Sequence, residues 1–429
     1  MDSNGTVLPT ELLHEIVDMV ADSDDDDVIP TLTAITQASD VMRSRAQKYI
    51  YETISLEPSH KDYIDELAQI FATDPMVLAE HPRTLELYCG TNAELVDAPI
   101  LDTIISQMQN LEIASFIDLD MVGRPFIDSF ASPSMAQITS VELSYVKLTF
   151  REFNIFLSSP CLIELLLGGL HIVEYVPFTR LIEQGTDFSA PDCSLPQPQS
   201  ALRCPLKELR LDIARASDFA IMDLIATSRY PIIAEDSLVK VTLSSDYSHE
   251  QHVPLFQRFL DCKAIKPAKR LHLGNYELGL FTEPGKPTEY DPLRFDTFEF
   301  VELSVGIGRD WFQYEPEFQW WANSLMEVPA GSPLKRLRFI INFEQINVQA
   351  LPDVTMDVWD DLDYALCGDN LELELLAIDI ATRVPLPRED KLAVKRWLLK
   401  CLPGTNEKYF VQGTRWKNGR VCIARDFRS

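Results

Sequence analysis

Two histidines three residues apart, His249 and His252 in the stretch HEQH, are the nearest approach this chain makes to a metal-binding pair. A helical zinc site needs its histidines four apart, so that both rings leave one helix face toward one ion. A spacing of three, with Pro254 close behind and no obvious third ligand, reads as a loop pair. GLFTEPGKPT, residues 279–288, holds a Gly285-Lys286 pair. A phosphate cradle would need its earlier glycine one residue nearer than Gly279, and a Ser or Thr where Pro287 stands. GIGRD, residues 306–310, has two glycines where a dinucleotide fold needs a third that opens a helix, and Trp311 follows. There is no GxSxG, and no Cys or Ser sits beside a His with a recognisable orienting partner. Paired carboxylates such as those in VWDDLDY, residues 358–364, are expected by chance among 66 acidic residues. The residues therefore predict no enzyme, no metal and no cofactor; a hydrolase or transferase hidden in the insertions is the residual catalytic reading.

The cysteines point the same way. All eight, at 89, 161, 193, 204, 262, 367, 401 and 422, are scattered without a CxxC pair, which argues against a zinc site and against a disulfide framework, and leaves reduced core or loop thiols. The formal charge of −28 sets binding of nucleic acid or an anionic membrane surface against long-range repulsion. That charge is uneven: residues 383–429 carry 12 Lys or Arg against 4 Asp or Glu, a net +8 that leaves −36 on the rest. The basic end can neutralise the acidic body or bind an acidic peptide or phosphate. No run approaches the ~18–20 apolar residues of a membrane-spanning helix, and the start, with Asp2 and no basic flank, does not read as a secretory signal. The expectation is an intracellular protein, cytoplasmic or nuclear or both.

The elements give this chain more to say than its chemistry does. At 429 residues with 46% apolar content it is long for one globule, so a small unit and a larger one are expected. LPTELLHEIVDMV, residues 8–20, predicts a helix whose Leu12, Leu13, Ile16, Val17, Met19 and Val20 cover well over half its circumference. One face suffices for a core; the other is free for a partner, or packs on the first repeat as a cap. Four consecutive aspartates, Asp24 to Asp27, make a solvated loop ending at Pro30. Helices over 31–39 and 40–52 complete a three-helix unit.

Beyond it a strand-like pulse recurs, apolar at its first, fourth and sixth positions or at least at the last two: PRTLELY (82–88), MQNLEIA (108–114), ITSVELS (138–144), LIELLLG (162–168), LKELRLD (206–212), LVKVTLS (238–244), AKRLHLG (268–274), FDTFEFV (295–301), LKRLRFI (334–340) and a degenerate NLELELLAI (370–378). Anchored at 85, 111, 141, 165, 209, 241, 271, 298 and 337, the pulses lie 24 to 44 residues apart, with amphipathic stretches between them such as 61–72, 99–108, 218–227 and 254–263. One strand and one helix per repeat predict an α/β leucine-rich-repeat solenoid whose parallel strands line the concave face. Residues 183–200, rich in Pro, Ser and Gln, read as an inserted loop. The aromatic run DWFQYEPEFQWWANSL, residues 310–325, is either core packing or an interface anchor. A basic helix over 390–402 and a hairpin across Asn418-Gly419 cap the C-terminal end. The expected domains are 5–56, 57–382 and 383–429.

Leu8, Pro9, Glu11, Leu12, Leu13 and Ile16, followed by two short helices, the strand TISL (53–56) and leucine-rich repeats, resemble the F-box/leucine-rich-repeat proteins abundant in fungi. The motif covers residues 5–56; the rest matches in architecture. The resemblance implies that the helical unit docks on the Skp-type adaptor of a Skp–cullin–F-box ubiquitin ligase, and through it on a cullin. Carried over by position, the adaptor contacts are Leu8, Pro9, Leu12 and Ile16, with Leu32 and Ile35 in support. It implies that the repeats bind an unknown protein target, for which the concave strand positions are Glu86, Tyr88, Glu112, Glu142, Arg210, His272 and Arg338, acidic early and basic late. The alternative is a leucine-rich scaffold without adaptor binding.

Overall fold

The computed structural model describes residues 8–23, 27–57, 61–73, 79–88, 98–132, 135–173, 204–213, 219–226, 233–234, 236–245, 253–274, 291–307, 315–343, 357–382, 387–410, 414–417 and 420–426. HEQH, the Gly-Lys stretch, the 183–200 insertion, Trp311, Phe312, Tyr314 and the Asn418-Gly419 turn lie outside them. The chain divides into two compact units, the first made of residues 1–163 with 171–174 and the second of 164–170 with 175–429.

The first unit opens with three helices, α1 (Thr10–Ala21), α2 (Val28–Ala38) and α3 (Asp40–Ile50). Pro9 stands just ahead of α1, where its missing N–H costs nothing, and its carbonyl accepts from the amides of Leu12 and Leu13 at 3.1 and 3.2 Å. Helix α2 begins three residues earlier than the sequence predicts. Pro30 falls in its first turn, a position whose N–H has no intrahelical acceptor to lose, so the proline admits the helix from Val28.

Strand β1 (Thr53–Leu56) follows, then α4 (Lys61–Thr73), β2 (Thr84–Tyr88), α5 (Ala98–Gln107), β3 (Ile113–Ile117), α6 (Phe126–Ser129), β4 (Ser140–Ser144), β5 (Lys147–Leu148) and α7 (Phe150–Leu157). TISL, read as the tail of the helical unit, is hydrogen-bonded parallel to β2 and is the first strand of the repeats. Helix α7 is opened by a reciprocal cap: Glu152 N–H donates to the Thr149 hydroxyl, and Thr149 N–H donates to the Glu152 carboxylate. That carboxylate also accepts from Gly123 N–H at 2.6 Å, in a turn where Gly123 takes a φ of +69°.

Strand β6 (Glu164–Gly168) belongs to the second unit, whereas β7 (His171–Ile172) pairs with β5 in the first. The second unit continues with β8 (Glu208–Ile213), α8 (Phe219–Ala226), β9 (Lys240–Ser245), α9 (Val253–Leu260), β10 (Arg270–Gly274), β11 (Phe300–Ile307), α10 (Glu315–Met326), β12 (Arg336–Phe343), α11 (Asp357–Cys367), β13 (Leu375–Thr382), α12 (Arg388–Cys401) and α13 (Pro403–Thr405). Strands β14 (Thr414–Lys417) and β15 (Arg420–Asp426) end it, with β15 antiparallel to β13.

Within each unit the strands of the repeats run parallel and in register, so that apolar residues stack in two ladders. Ile54, Leu85, Ala114 and Val141 form one in the first unit, with Leu56, Leu87, Phe116 and Leu143 two residues on. In the second, Leu209, Val241, Leu271, Val301, Leu337 and Leu376 continue the pattern. All are buried. The register corrects two of the sequence anchors: the repeat positions are Ala114 and Val301, not residues 111 and 298. Leu111 and Phe298 occupy the first position of the pulse, three residues ahead, in line with Ile138, Leu238, Ala268 and Leu334, which are also buried. The spacings on either side of residue 114 become 29 and 27, and those on either side of residue 301 become 30 and 36, more regular than the sequence suggested.

Eight of the described strands, β2–β4 and β9–β13, are entered the same way. Two successive amides share one carbonyl of the preceding repeat, as Arg83 and Thr84 share Glu52 O, and Lys335 and Arg336 share Glu299 O. Strand then helix, repeated on buried ladders, is the α/β leucine-rich-repeat arrangement, with the three N-terminal helices at its start.

Candidate protein-binding surfaces

In the helical unit Val17, Leu32 and Ala46 are fully buried against one another, ringed by half-buried Val20, Val28, Ile35, Met42 and Tyr49. This core consumes one face of α1. The opposite face carries Leu12, Ile16 and Met19, which are 45, 42 and 69% exposed, and Leu8, two residues ahead of the helix, is 51% exposed. The exposure separates the two readings of the over-apolar helix: Leu8, Leu12 and Ile16 are not packed on the first repeat. Leu13 is half-buried and Pro9 exposed. Ile35 keeps part of its surface, but Leu32 has none to offer; its place is to hold the helices together, because its spacing puts it on the inward face of α2.

An ion cluster fixes how α1 presents that face. Asp18 accepts from Arg45 Nε and Nη2 at 2.7 and 2.8 Å and from the Tyr49 hydroxyl at 2.9 Å, tying α1 to α3. The Arg45 hydrogen bonds hold the Asp18 carboxyl down to about 2, against a smaller opposing effect of burial. Burial, with the bond to Asp18, pushes the Tyr49 hydroxyl up. Beside the exposed row, Ile16, Met19, Val20, Ser23, Asp27, Val28 and Thr31 line an open hollow of about 360 Å³, of a size to take one or two partner side chains.

On the sheet face of the first unit, Glu86 stands opposite Ser115, and Ser115 opposite Glu142. Tyr88 is exposed at the end of β2. Glu112 does not join that row: the register shift that moves the anchor to Ala114 leaves it ahead of β3, paired with Arg83 at 2.6 Å, and Ser115 takes the place expected for it. Ser115 instead donates to Glu142 at 2.9 Å.

In the second unit Arg210, Thr242, His272, Glu302 and Arg338 occupy one row across five strands. The three residues expected there are thus brought together, with two that sequence reasoning missed. Glu302 accepts from Arg338 Nη1 at 2.9 Å and lies 3.3 Å from His272 Nε2. Arg338 also holds Asp379 through Nε at 2.7 Å and through Nη2. Asp379 is 1% exposed and its Oδ1 has no partner among the described residues. Burial pulls the His272 imidazole below its usual range, with Glu302 opposing. Burial opposes the Arg338 charge, yet Asp379 and Glu302 hold it above its usual value. The signal that could have found Glu302 and Asp379 is alternation: each sits at an outward position of a strand whose neighbours are all apolar.

Of the aromatic run, Phe318, Trp320 and Trp321 are buried; Phe318 packs on Phe339 and Trp359, and Trp320 Nε1 donates to Asp291 O at 3.0 Å. These three are core. Cys204 and Cys401 are buried, and burial pushes their thiols up to about 12 and about 11, out of the nucleophilic range. No group of three His, Cys, Asp or Glu among the described residues is placed to hold a metal ion, and no described helix is long and apolar enough to cross a membrane.

No protein-family model matches the chain, and no curated protein matches its sequence. Among solved structures, an internalin from Listeria monocytogenes aligns with 78% of this chain and 86% of its own at 12% identity, with a TM-score of 0.26, too low to carry an argument.

Proposed function

We propose that this chain is a non-enzymatic protein-binding subunit of a Skp–cullin–F-box ubiquitin ligase, its helical unit docking on the Skp-type adaptor and its repeats holding the protein to be modified. The observation that carries the reading is the exposure of Leu12 and Ile16, with Leu8 just ahead of them, on a helix whose other face is already committed to a core. Burying a Leu or Ile side chain is worth roughly 1.5–3 kcal/mol, so three such side chains left in water are best accounted for by a partner surface. The repeats supply a second surface, rows of polar residues on rigid strands, suited to a protein target. Catalysis in such an assembly is proximity: the scaffold brings a target lysine to a conjugating enzyme held elsewhere. Cytoplasm and nucleus, where such ligases work, follow as the proposed location.

The test is capture of a purified Skp-type adaptor by the full chain. Leu12→Asp with Ile16→Asp is expected to abolish capture while circular dichroism and the melting curve stay those of the parent. Undiminished capture by the double variant sinks the interface. A parent chain that fails to capture the adaptor favours the second reading, a leucine-rich protein-interaction scaffold that uses the repeats alone.

A further inference from the structure

The row at the entry of the second unit's strands has an excess of positive charge, on a chain whose net charge is −28. Arg270 stands opposite Phe300, and Phe300 opposite Arg336, on β10, β11 and β12. All three side chains take outward positions, since Leu271, Val301 and Leu337 beside them point into the buried ladder. Arg270 is exposed; Phe300 and Arg336 are half-buried. Every residue of the turns that lead into these strands is described; of the acids in and beside them, Glu299 pairs with Lys269 at 2.9 Å, Glu372 with Lys335 at 3.4 Å and Glu302 with Arg338 and His272, while Asp296 and Glu327, off the strands, pair with no described residue. On the next strand Lys240 is matched by Glu208 at 2.5 Å. The side chains of Arg270 and Arg336 make no ion pair or hydrogen bond with any described residue.

A chain carrying −28 has acids to spare, so leaving two arginines unmatched across three adjacent strands marks a surface whose complement is elsewhere. Their backbones lie about 10 Å apart, two strand spacings, with an aromatic floor between. We infer that Arg270, Phe300 and Arg336 form a docking surface for an extended acidic segment of a partner protein. Two carboxylates four residues apart pair with the two guanidinium groups, and an apolar side chain midway between them, on the same face of the extended segment, rests on Phe300. An extended peptide advances ~3.3 Å per residue, so that spacing reaches both arginines with ordinary side-chain lengths. Guanidinium binds carboxylate in a fork, giving direction as well as charge complementarity. The inference rests on the reading that the repeats hold a partner, and names the chemistry of the segment they take.

Fluorescence anisotropy on the full chain tests it with three labelled peptides of equal length, centred on Glu-Ser-Leu-Ser-Glu, Gln-Ser-Leu-Ser-Gln and Glu-Ser-Ser-Ser-Glu. The Glu-Ser-Leu-Ser-Glu peptide is expected to bind, more weakly as salt rises; the Gln peptide is expected to fail, and the peptide with Ser in place of Leu to bind several-fold more weakly. Arg270→Gln and Arg336→Gln are each expected to weaken binding about ten-fold, while Lys263→Gln, an exposed lysine that is not on a strand, leaves it unchanged. Equal binding of Glu and Gln peptides overturns the proposal, as does binding indifferent to both arginines. Heparin displacing the peptide with no dependence on Phe300→Ala assigns the patch to polyanions in general and overturns it too. Adaptor capture, run on the same preparations, reports on α1 alone, so a failure here is told apart from a failure of the ligase reading. A variant whose melting curve departs from the parent is replaced by Arg270→Lys or Arg336→Lys, which keep charge but lose the fork and are expected to bind at an intermediate level.

Discussion

Asp379 depends on one partner. Its carboxylate is buried, Arg338 alone among the described residues donates to it, and Oδ1 receives nothing. Removing the guanidinium leaves a charge in a place that cannot solvate it, a change that costs about 3–5 kcal/mol. Urea denaturation of Arg338→Met is expected to show that loss, and the double variant Arg338→Met with Asp379→Leu to recover much of it; equal stabilities for Arg338→Met and the parent would show that water reaches Asp379. His272, in the same row, gives a pH dependence of known sign. Its folded-state value lies below the unfolded one, so the unfolded chain binds the extra proton first. The contribution is complete above the ordinary imidazole range and is lost as pH falls through it. Between about pH 7.5 and 5.5 the parent is expected to lose more stability than His272→Gln, read by the same denaturation at each pH. Asp18 runs on a lower window. Held down to about 2, it supports the helical unit above the ordinary carboxylate range and stops doing so as pH drops toward 2. Arg45→Met is expected to bring its carboxyl titration, followed by NMR, back up toward the ordinary value.

Elements were legible where one face alone decides a residue's type. The strand pulses were visible because two inward positions per strand must be apolar in every repeat, and α4, α5, α8 and α9 because amphipathic spacing betrays a helix laid on a core. The misplacements have physical reasons. Leu111 and Phe298 look like strand anchors because the turn entering each strand buries an apolar residue three positions ahead, which sequence alone does not separate from the strand itself. The same shift misplaced Glu112. TISL was assigned to the helical unit by proximity in sequence, whereas parallel pairing to β2 is a long-range fact. The pairing of Glu302 and Asp379 with Arg338 and the Arg270–Phe300–Arg336 row are not legible in the sequence because cross-strand neighbours lie some 30 to 40 residues apart and only the register brings them together. Helix α1 carries the element-scale prediction. Val17→Asp puts a charge into the three-helix core and is expected to remove the unit's helical signal, whereas Leu12→Asp, on the exposed face, is expected to change stability by no more than about 0.5 kcal/mol. If the two variants melt alike, the assignment of faces is wrong.

At the scale of the whole molecule, −28 on 429 residues is a self-repulsion that salt relieves. The melting temperature is expected to rise between low ionic strength and physiological salt, as measured by differential scanning calorimetry, while binding of the acidic peptide weakens over the same range. The opposite response of folding and binding to one variable separates the body's excess of acid from the local excess of arginine.

Parallel repeats have no internal reason to stop, since each strand offers the next the same line of amides and carbonyls. Here β15 runs against β13, and β14 folds back on β15. The reversal changes the pattern from slanted to perpendicular bonds and closes the series with a pair that no further repeat can extend in register. Chain cut before Thr414 would present β13 as a bare template, open to the same strand of a second molecule. Such a truncation is expected to form oligomers and then fibres on concentration, detectable by light scattering, where the full chain stays dispersed. The β14–β15 hairpin is thus a terminator of the parallel series, not one more repeat.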